Sequence, residues 1–560
     1  MTVTLRRDLL WLTAGALVVR LVVAAIVDGA PWTDSAYYFA SGRQIATGHG
    51  LTVPFVWSFL DTGGRLPTHP TLPIPSHAHW MPLTAFVASL GMLVLGPTEL
   101  AARVPMILLS TALTPLTYLM ALSIWHSRSA AVAGAILVVF AGPLLLFGSI
   151  VESFAVFGLA GSAALFCAMR SVADDSRPRT WLILSGGMVG IATLTRIEGL
   201  LLAVAPATAW LISMGWTGWH ARGARPGWTT GIGSAATFAL VVSPWAVRNL
   251  ATFGSILPST GGSTLWIKSY NEQFSITADT SLGAYLAQGA GPIIGSKAGA
   301  WLTIGGYTVA LMAGVFGFLF LAGLWVHRRR ADVAPFTIYW LAMFVAMGGV
   351  FTFHAPHGLF YHHAPAWLPI AASMGATAVA PVATAASRWW RFLGRPATHR
   401  FLLVASLTAA AAFSIVASAL LLGEWRTNLA AADAVAVFLK EHAASPDRVM
   451  FRDAPLLYVA TGHEVVAPTY DPYPIVGQVA HAYGIRWFVA QLQARGPLVE
   501  PQGLWDGGNA VDAQGNPAAW LARVPAYDDG RVRIYEVLPT ASAPVSYPAD
   551  TPVGAGGTRT

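Results

Sequence analysis

Long apolar stretches recur along most of the chain, and they constrain the fold more than any other feature. The first, within "MTVTLRRDLLWLTAGALVVRLVVAAIVDG", reaches the length of about 20 residues that a helix needs to cross a membrane. Only 11% of the 560 residues are charged, whereas soluble proteins carry about 25%. The pattern predicts a polytopic α-helical membrane protein with about eleven transmembrane helices.

The positive charges gather in short loops between the apolar stretches. This distribution is typical of topology signals, so the net charge of +7 does not indicate a nucleic-acid partner. Arg6 and Arg7 predict a cytosolic N-terminus for a multi-pass protein of the cell membrane. This topology interprets residues 80–96 as a juxtamembrane or re-entrant helix, because a full span there would invert every later segment.

Composition divides the chain into three parts. Residues 1–423 are predicted to form the transmembrane domain, with external loops at 29–97 and 245–298. Beyond it, charges become common and helix and strand patterns alternate, which predicts an extracytoplasmic α/β domain over 424–540. Residues 541–560 are rich in Pro, Gly, Ser and Thr and are predicted to be disordered.

Ionisable side chains lie at the ends of several apolar stretches, where burial is costly and a functional role is the default expectation. Asp34 follows the first stretch, in "PWTDSAYYF", and Glu152 lies in "FGSIVESFAVFG". Arg196 and Glu198, in "TLTRIEGLLL", are predicted on the same extracytoplasmic side, paired with each other or with a ligand. Two interpretations of Asp34 stay open: a catalytic group, or the N-cap of the helix that follows it.

Cations and histidines on the same predicted side indicate a cleft that holds a phosphate. Arg248 and Lys268 lie in a Gly/Ser-rich loop, where Arg offers a bidentate fork and Lys a mobile point charge. His77 and His79 form one histidine group, and His362 belongs to another. Hydrogen bonding or phosphate contact is favoured over metal binding for them, because a zinc site needs three or four ligands of compatible geometry.

Further candidates for a substrate cleft come from the first external loop. Tyr37 and Tyr38 follow directly on the acidic position of "TDSAYYF". They are grouped with His77, His79 and Glu198 as cleft candidates. Tyrosines at this depth are equally typical of interface anchors, and that alternative stays open.

Several segments, taken in order, resemble the GT-C superfamily of integral-membrane glycosyltransferases. They are "TDSAYYFASGRQIATGHGL", "HWMPLTAFVASLGMLVLGPTELAARVPMILLSTALTPLTYLMAL", "LTRIEGLLL", "SPWAVRNLATFGSILPSTGGSTLWI", "DAPLLYVATGHEVVAP" and "AYGIRWFVAQ". The similar branch depends on polyprenyl-phosphate sugars and includes protein O-mannosyltransferases and the aminoarabinose transferase of lipid A. The resemblance covers residues 5–540 and rests on the order of the motifs.

The chain departs from the family pattern at three points. The family's acidic pair is reduced to Asp34, because Ser35 stands at the second position. The Pro-Pro-Leu element reads Met-Pro-Leu at residues 81–83. Histidines around His362 replace an arginine that often precedes the late tyrosine-containing span. These departures bear on which donor is used and on whether a divalent cation is needed. A divalent cation is the one cofactor that the sequence leaves open.

The resemblance implies transfer of a sugar from a polyprenyl-phosphate donor to a protein, lipid or glycan acceptor on the extracytoplasmic face, with inversion. Asp34 would act as the general base, and Glu152 would orient the sugar or the acceptor or share a cation with Asp34. The donor phosphate and lipid would be held by four residues, Arg248, Lys268, His362 and Arg196. Membrane lipids would surround the helices.

Two other classes of function compete with this interpretation. The single acid at Asp34 fits a non-catalytic relative that binds polyprenyl lipid. A lipid or solute transporter is the other alternative, although internal repeats typical of transporters are not apparent. Large external loops and an external α/β domain favour an enzyme over a transporter, and the non-catalytic relative stays open.

Overall fold

The computed structural model describes residues 3–173, 177–217, 219, 227–258, 263–442, 447–492 and 518–539. The predicted disordered tail at 541–560 lies outside the described residues. Helices dominate the described part, with a small sheet near its C-terminal end. The predicted fold class, a polytopic α-helical membrane protein, is confirmed.

The α-helices of the described residues follow one another from the N-terminus. They are α1 (Val3–Ile26), α2 (Thr33–Ala46), α3 (Leu83–Leu95), α4 (Glu99–Trp125), α5 (Arg128–Val139), α6 (Pro143–Phe147), α7 (Phe154–Val172), α8 (Pro178–Thr195), α9 (Val204–Ser213), α10 (Trp228–Phe253), α11 (Leu282–Leu286), α12 (Ala290–Leu311), α13 (Val315–Val326), α14 (Ala334–Gly349), α15 (Phe360–Ala386), α16 (Pro396–His442), α17 (Ala454–Thr461) and α18 (Tyr473–Ala482). A π-helical turn at Ala355–Leu359 leads into α15. A 3-10 segment, Ile197–Ala203, joins α8 to α9.

Six helical segments of the described residues are long and apolar enough to cross a membrane: α1, α4, α7, α10, α15 with its π-turn, and α16. Helices α12 and α13 pass the same test together but are bent by 105°. Helix α3 lies where the juxtamembrane helix is predicted, and its 13 residues are fewer than the roughly 20 needed to span. The count of about eleven spans therefore stays a prediction.

Two buried arginines stabilise the start of the bundle through hydrogen bonds to the backbone. Arg20 of α1 donates to the carbonyl of Leu145 at 3.1 Å. Arg103 of α4 pairs with Glu99 at 2.8 Å and donates to carbonyl oxygens at the end of α1, including that of Val27. A buried guanidinium needs such partners, because water is not there to solvate it. Both arginines therefore have structural roles.

Helix α8 packs closely against α10 because small residues allow their backbones to approach. A Cβ atom added at Gly186 would overlap the backbone oxygen of Ser234, whereas one added at Gly187 would meet only Thr237, at 4.0 Å. Neighbouring glycines of one helix therefore differ sharply in the space around them.

We expect Gly186→Ala to lower the free energy of unfolding by about 1–3 kcal/mol, because the two helices must move apart. Gly187→Ala is the matched control, since both changes gain the same helix propensity but only the first creates an overlap. Thermal unfolding midpoints in detergent measure the difference. Equal midpoints for the two variants would contradict the close packing of α8 on α10.

The C-terminal part of the chain forms a six-stranded sheet in the order β2-β5-β4-β6-β8-β7. Its strands are β2 (Phe55–Val56), β4 (Arg448–Met450), β5 (Val465–Val466), β6 (Ile485–Gln491), β7 (Tyr527–Asp528) and β8 (Val532–Glu536), while β1 (Thr52–Val53) and β3 (Ile74–Pro75) form a separate pair. Strands β2, β5, β4 and β6 are parallel neighbours, and β8 is antiparallel to β6 and β7. Helices and strands alternate in this part of the chain, and the separate domain over 424–540 stays a prediction.

Strand β2 comes from the segment predicted as the first external loop, and its residue Phe55 pairs with Val465 of β5, about 410 residues further along the chain. The apolar core below the sheet is likewise shared, because Tyr37 and Phe55 of the loop lie in one cluster with Val449 and Val465. Helix α16 runs from the bundle into this region without a break. The segment predicted as the first external loop and the C-terminal sheet therefore form one packed unit at the end of the bundle.

Candidate functional site

A cavity of about 870 Å³ lies where the bundle meets this packed unit. Its walls come from the start of α2, the segment after α8, the start of α15, the middle of α16 and the loop before α17. The charged residues that line it are Asp34, Arg196, Glu198, Glu424, Arg452 and Asp453. Polar groups and apolar helix surfaces therefore face the same space.

Asp34 lies in the first turn of α2 and faces the cavity. The helix begins at Thr33, and its N-cap position is Trp32, which makes no side-chain capping bond. The interpretation of Asp34 as the N-cap is therefore wrong. Burial raises the pKa of Asp34 well above its usual range, and the nearby Glu152 raises it further.

Three side chains from distant parts of the chain meet at this point. His362 Nε2 lies 3.6 Å from Asp34 Oδ2, and His362 Nδ1 lies 4.0 Å from Glu152 Oε1. The ring of Trp32 stacks on His362, with centroids 5.6 Å apart and planes inclined by 4°. The structure thus brings together Asp34, Glu152 and His362, three of the residues singled out from the sequence.

Glu152 is fully buried and held by three hydrogen bonds. Trp32 Nε1 donates to Oε2 at 3.2 Å, while the backbone N–H and the hydroxyl of Ser153 donate to Oε1 at 2.7 and 2.9 Å. Burial raises the pKa of Glu152, and the bonds from Ser153 and Trp32 offset only part of that effect. The carboxyl group is thus fixed in one orientation beside Asp34.

Arg196 supplies positive charge next to these carboxyl groups. It pairs with Glu198 at 2.8 Å, and one of its nitrogens lies 3.3 Å from His362 Nδ1. Burial lowers the pKa of Arg196, but the adjacent Glu198 and other anionic groups outweigh this and raise it overall. Arg196 is therefore charged, and the predicted pairing of Arg196 with Glu198 is present.

The donor set of Asp34, Glu152 and His362 fits a divalent cation. One ligand atom from each residue lies within 4.8 Å of the other two. Carboxylate oxygens suit Mg²⁺ and Mn²⁺, and imidazole suits transition metals such as Mn²⁺ and Zn²⁺. Since three ligands leave coordination positions open, a cation held here would also have room for a substrate oxygen.

Two of the predicted phosphate ligands lie away from this group. Arg248 donates to the carbonyl of Ser76 at 2.8 Å and stacks on Trp245. Lys268 pairs with Glu272 at 3.4 Å. Neither is among the described residues that line the cavity. The structure therefore does not bring these two cations into the group around Asp34.

The four aromatic candidates of the first loop divide into two pairs. Tyr38 and His79 line the cavity, whereas Tyr37 and His77 are buried behind it. Tyr37 stacks on Trp80 with centroids 4.9 Å apart, and its hydroxyl accepts from the His77 backbone N–H. Burial lowers the pKa of both histidines to about 3, so both are neutral. Tyr37 and His77 thus support the wall rather than form its surface.

Sequence reasoning did not single out two residues that the structure places at the site. Trp32 contacts both Glu152 and His362, and Asp453 accepts a hydrogen bond from Thr33, next to Asp34. The adjacency of Trp32 to the acidic position was visible in the sequence. The contact of Asp453 with Thr33 could not be predicted, because its position before "APLLYVATG" indicates only a helix N-cap.

Solved structures of membrane glycosyltransferases share this fold. ArnT from Cupriavidus metallidurans bound to undecaprenyl phosphate is 13% identical, with a TM-score of 0.57, and the match covers 96% of this chain and 99% of that one. The apo oligosaccharyltransferase of Archaeoglobus fulgidus is 12% identical, with a TM-score of 0.55, over 90% of this chain and 71% of that one. AglB from the same organism, in complex with an inhibitory peptide and a dolichol-phosphate, is 11% identical, with a TM-score of 0.51, over 89% and 71%.

The chain thus has the fold of these multi-pass GT-C membrane enzymes, and the resemblance inferred from sequence motifs is confirmed. Residues 75–247 match the family model described as dolichyl-phosphate-mannose-protein mannosyltransferase. This segment includes Glu152, Arg196 and Glu198. No curated protein matches the chain by sequence.

Proposed function

We propose that the protein is a glycosyltransferase that moves a sugar from a polyprenyl-phosphate donor to an acceptor on the extracytoplasmic face of the membrane. The observation that carries the proposal is the cavity in which Asp34 lies beside Glu152, His362 and Arg196. The N-terminus would be cytosolic and the C-terminal sheet extracytoplasmic. The acceptor would be a protein, a lipid or a glycan.

An apolar arm of the cavity supports a lipid-linked donor. It is lined by residues from three helices: Leu146 of α6, Leu311 of α12, and Phe413, Ala417 and Leu421 of α16. ArnT from Cupriavidus metallidurans binds undecaprenyl phosphate, and AglB from Archaeoglobus fulgidus binds a dolichol-phosphate. The same kind of carrier in this arm would bring its phosphate towards Arg196.

Aromatic rings also line the cavity and suit a sugar ring. Tyr270 stacks on His357 with centroids 4.1 Å apart, and Trp57 lies 5.0 Å from Trp80 and 5.8 Å from Phe274. Flat apolar faces with nearby polar edges match the C–H and O–H surfaces of a carbohydrate. Asp34 would then stand between the sugar and the acceptor.

The chemistry follows from these positions. Asp34 takes the proton of an acceptor hydroxyl, and the acceptor oxygen forms a bond to the anomeric carbon of the sugar. The bond from that carbon to the phosphate oxygen breaks, and the phosphate leaves with the electron pair, so the configuration inverts. Arg196 stabilises the charge on the departing phosphate. His362 and Glu152 hold Asp34 and the substrates in position.

A divalent cation, if bound by Asp34, Glu152 and His362, would neutralise negative charge on the donor phosphate. The chain's own contribution would remain the same three side chains and Arg196. Chelation followed by addition of Mg²⁺ or Mn²⁺ to the transfer assay measures the contribution of the cation separately from that of the base.

Filling the apolar arm should weaken donor binding. We expect Ala417→Trp to raise the KM for a long-chain polyprenyl-phosphate sugar by about tenfold, because the indole occupies space meant for the lipid. Ala412→Trp is the control, since Ala412 is an exposed residue of the same helix and does not line the cavity. An unchanged KM in the first variant would rule out this arm as the lipid site.

The function is tested by incubating purified protein in lipid with labelled polyprenyl-phosphate mannose, glucose, arabinose and related sugars, plus membrane extract. Transfer of label to an acceptor is the expected result. Binding of the lipid without transfer of any sugar would instead support the non-catalytic lipid-binding relative. Movement of intact donor or solute across the bilayer would support the transporter.

A further inference from the structure

The helix that carries Asp34 begins with a contact to a residue more than four hundred positions away. Its N-cap position makes no side-chain capping bond. The hydroxyl of Thr33, the first residue of α2, instead donates to Asp453 Oδ2 at 2.8 Å. Because Thr33 directly precedes Asp34, this bond acts on the backbone at the point where the carboxyl group enters the cavity.

Asp453 is itself held by the C-terminal region. Its Oδ1 accepts the backbone N–H of Leu456 at 3.3 Å, which makes Asp453 the N-cap of α17. One carboxylate oxygen thus accepts a hydrogen bond from α17, and the other accepts one from α2. A side chain that bridges two helix starts in this way fixes their relative rotation more tightly than apolar packing alone.

The apolar contact between the same two helices supports this geometry. Ala36 of α2 packs with Leu456 of α17 and Ala432 of α16. Further along α2, the guanidinium of Arg43 lies 5.2 Å from the ring of Tyr458. These contacts hold the axis of α2, but apolar packing fixes the orientation of its first turn less tightly than a hydrogen bond does. The bond from the Thr33 hydroxyl is the directional contact between that turn and the C-terminal region.

We propose that Asp453 is a positioning residue that acts through Thr33 to hold the Asp34 carboxyl group in its reactive orientation. The inference rests on the proposed function. It makes the C-terminal region a part of the catalytic unit rather than a separate module, because an orienting contact for the base comes from that region. A displacement of about 1 Å at a reacting group costs up to about 100-fold in rate.

A second carboxylate of the C-terminal region provides a comparison. Asp471 accepts hydrogen bonds from the Ser275 hydroxyl, from the backbone N–H of Ile276 and from both the backbone and the hydroxyl of Thr277. It holds the loop between α10 and α11 and makes no contact with Thr33 or Asp34 among the bonds of the described residues. The Thr277 hydroxyl therefore also donates to an aspartate, but away from Thr33 and Asp34, which makes Thr277 a control for Thr33.

The first test compares Thr33→Val with Thr33→Ser and Thr277→Val. Thr33→Val removes the hydroxyl and leaves the cap of α17 intact, so we expect kcat to fall by about tenfold with an unchanged KM for the donor. Thr33→Ser restores the hydroxyl and should restore kcat. Thr277→Val should leave kcat at the wild-type value. Wild-type kcat in Thr33→Val would overturn the proposal.

A second test asks whether the two residues act together. Asp453→Ala should lower kcat about as much as Thr33→Val, and the double variant should show no further loss in kcat. If the double variant instead lost kcat by the product of the two single-variant factors, Asp453 would act independently of Thr33, and the proposal would be overturned. These outcomes are read only against active wild-type enzyme, so failure of the proposed function would appear separately, as absence of transfer by the wild type.

Discussion

Asp34→Asn is expected to lower the rate of sugar transfer by about 100-fold or more. The substitution keeps the size of the side chain but removes the group that accepts the acceptor's proton. Burial and Glu152 raise the pKa of Asp34, which makes its carboxylate a stronger base than an exposed one. Initial rates with a labelled polyprenyl-phosphate sugar measure the loss, and binding of the polyprenyl phosphate should be retained.

Asp28→Asn is the matched control for this experiment. Asp28 lies six residues earlier, with 76% of its side chain exposed and only a 3.9 Å contact to Arg426. Since it does not line the cavity, we expect wild-type transfer from this variant. Retention of transfer in Asp34→Asn would exclude Asp34 as the base, and equal losses in both variants would point to a general effect of charge at this end of the bundle.

Arg196→Met is expected to have the largest effect on stability and to abolish transfer. It leaves Glu198 buried without its partner, next to Asp34 and Glu152. Removing one partner of a buried ion pair lowers the free energy of unfolding by about 3–5 kcal/mol, because the remaining charge is uncompensated. The thermal unfolding midpoint in detergent should fall clearly, and folded protein should transfer no sugar.

Two variants separate the causes of that result. Arg426→Met removes an arginine whose side chain is 56% exposed, and we expect a change of stability below about 0.5 kcal/mol. Arg196→Lys keeps the charge but loses the planar fork, so stability should recover more than transfer does. A wild-type midpoint for Arg196→Met would contradict the description of Arg196 as the group that balances these carboxylates.

Much of the site could be predicted from the sequence because its members share one physical property. Asp34, Glu152, Arg196 and Glu198 are ionisable residues at the ends of apolar stretches, and helix ends on one side of a membrane lie close together. His362 was found for a similar reason, within a group of histidines after an apolar stretch. The start of α17 was also predictable, because an Asp before a Pro-containing apolar run is typical of an N-cap.

Other contacts could not be predicted because they depend on pairing between distant segments. Strand β2 is only two residues long and joins the C-terminal sheet through a partner far along the chain. No local pattern indicates that Asp453 would lie beside Thr33. For Arg248, the surrounding sequence predicted a phosphate site. In the structure its guanidinium instead packs on the ring of Trp245 and donates to the carbonyl of Ser76. Tertiary packing decides such cases.

The most direct measurement of the central claim uses a polyprenyl-phosphate sugar that carries ³H in the sugar and ³²P in the phosphate. Wild-type enzyme in lipid should place ³H in the acceptor and leave ³²P in polyprenyl phosphate, in equal amounts, and Asp34→Asn should do neither. Both labels in the acceptor would mean transfer of a phosphosugar. Both labels in intact donor, after full incubation of folded wild type with every sugar tested, would contradict the assignment as a glycosyltransferase.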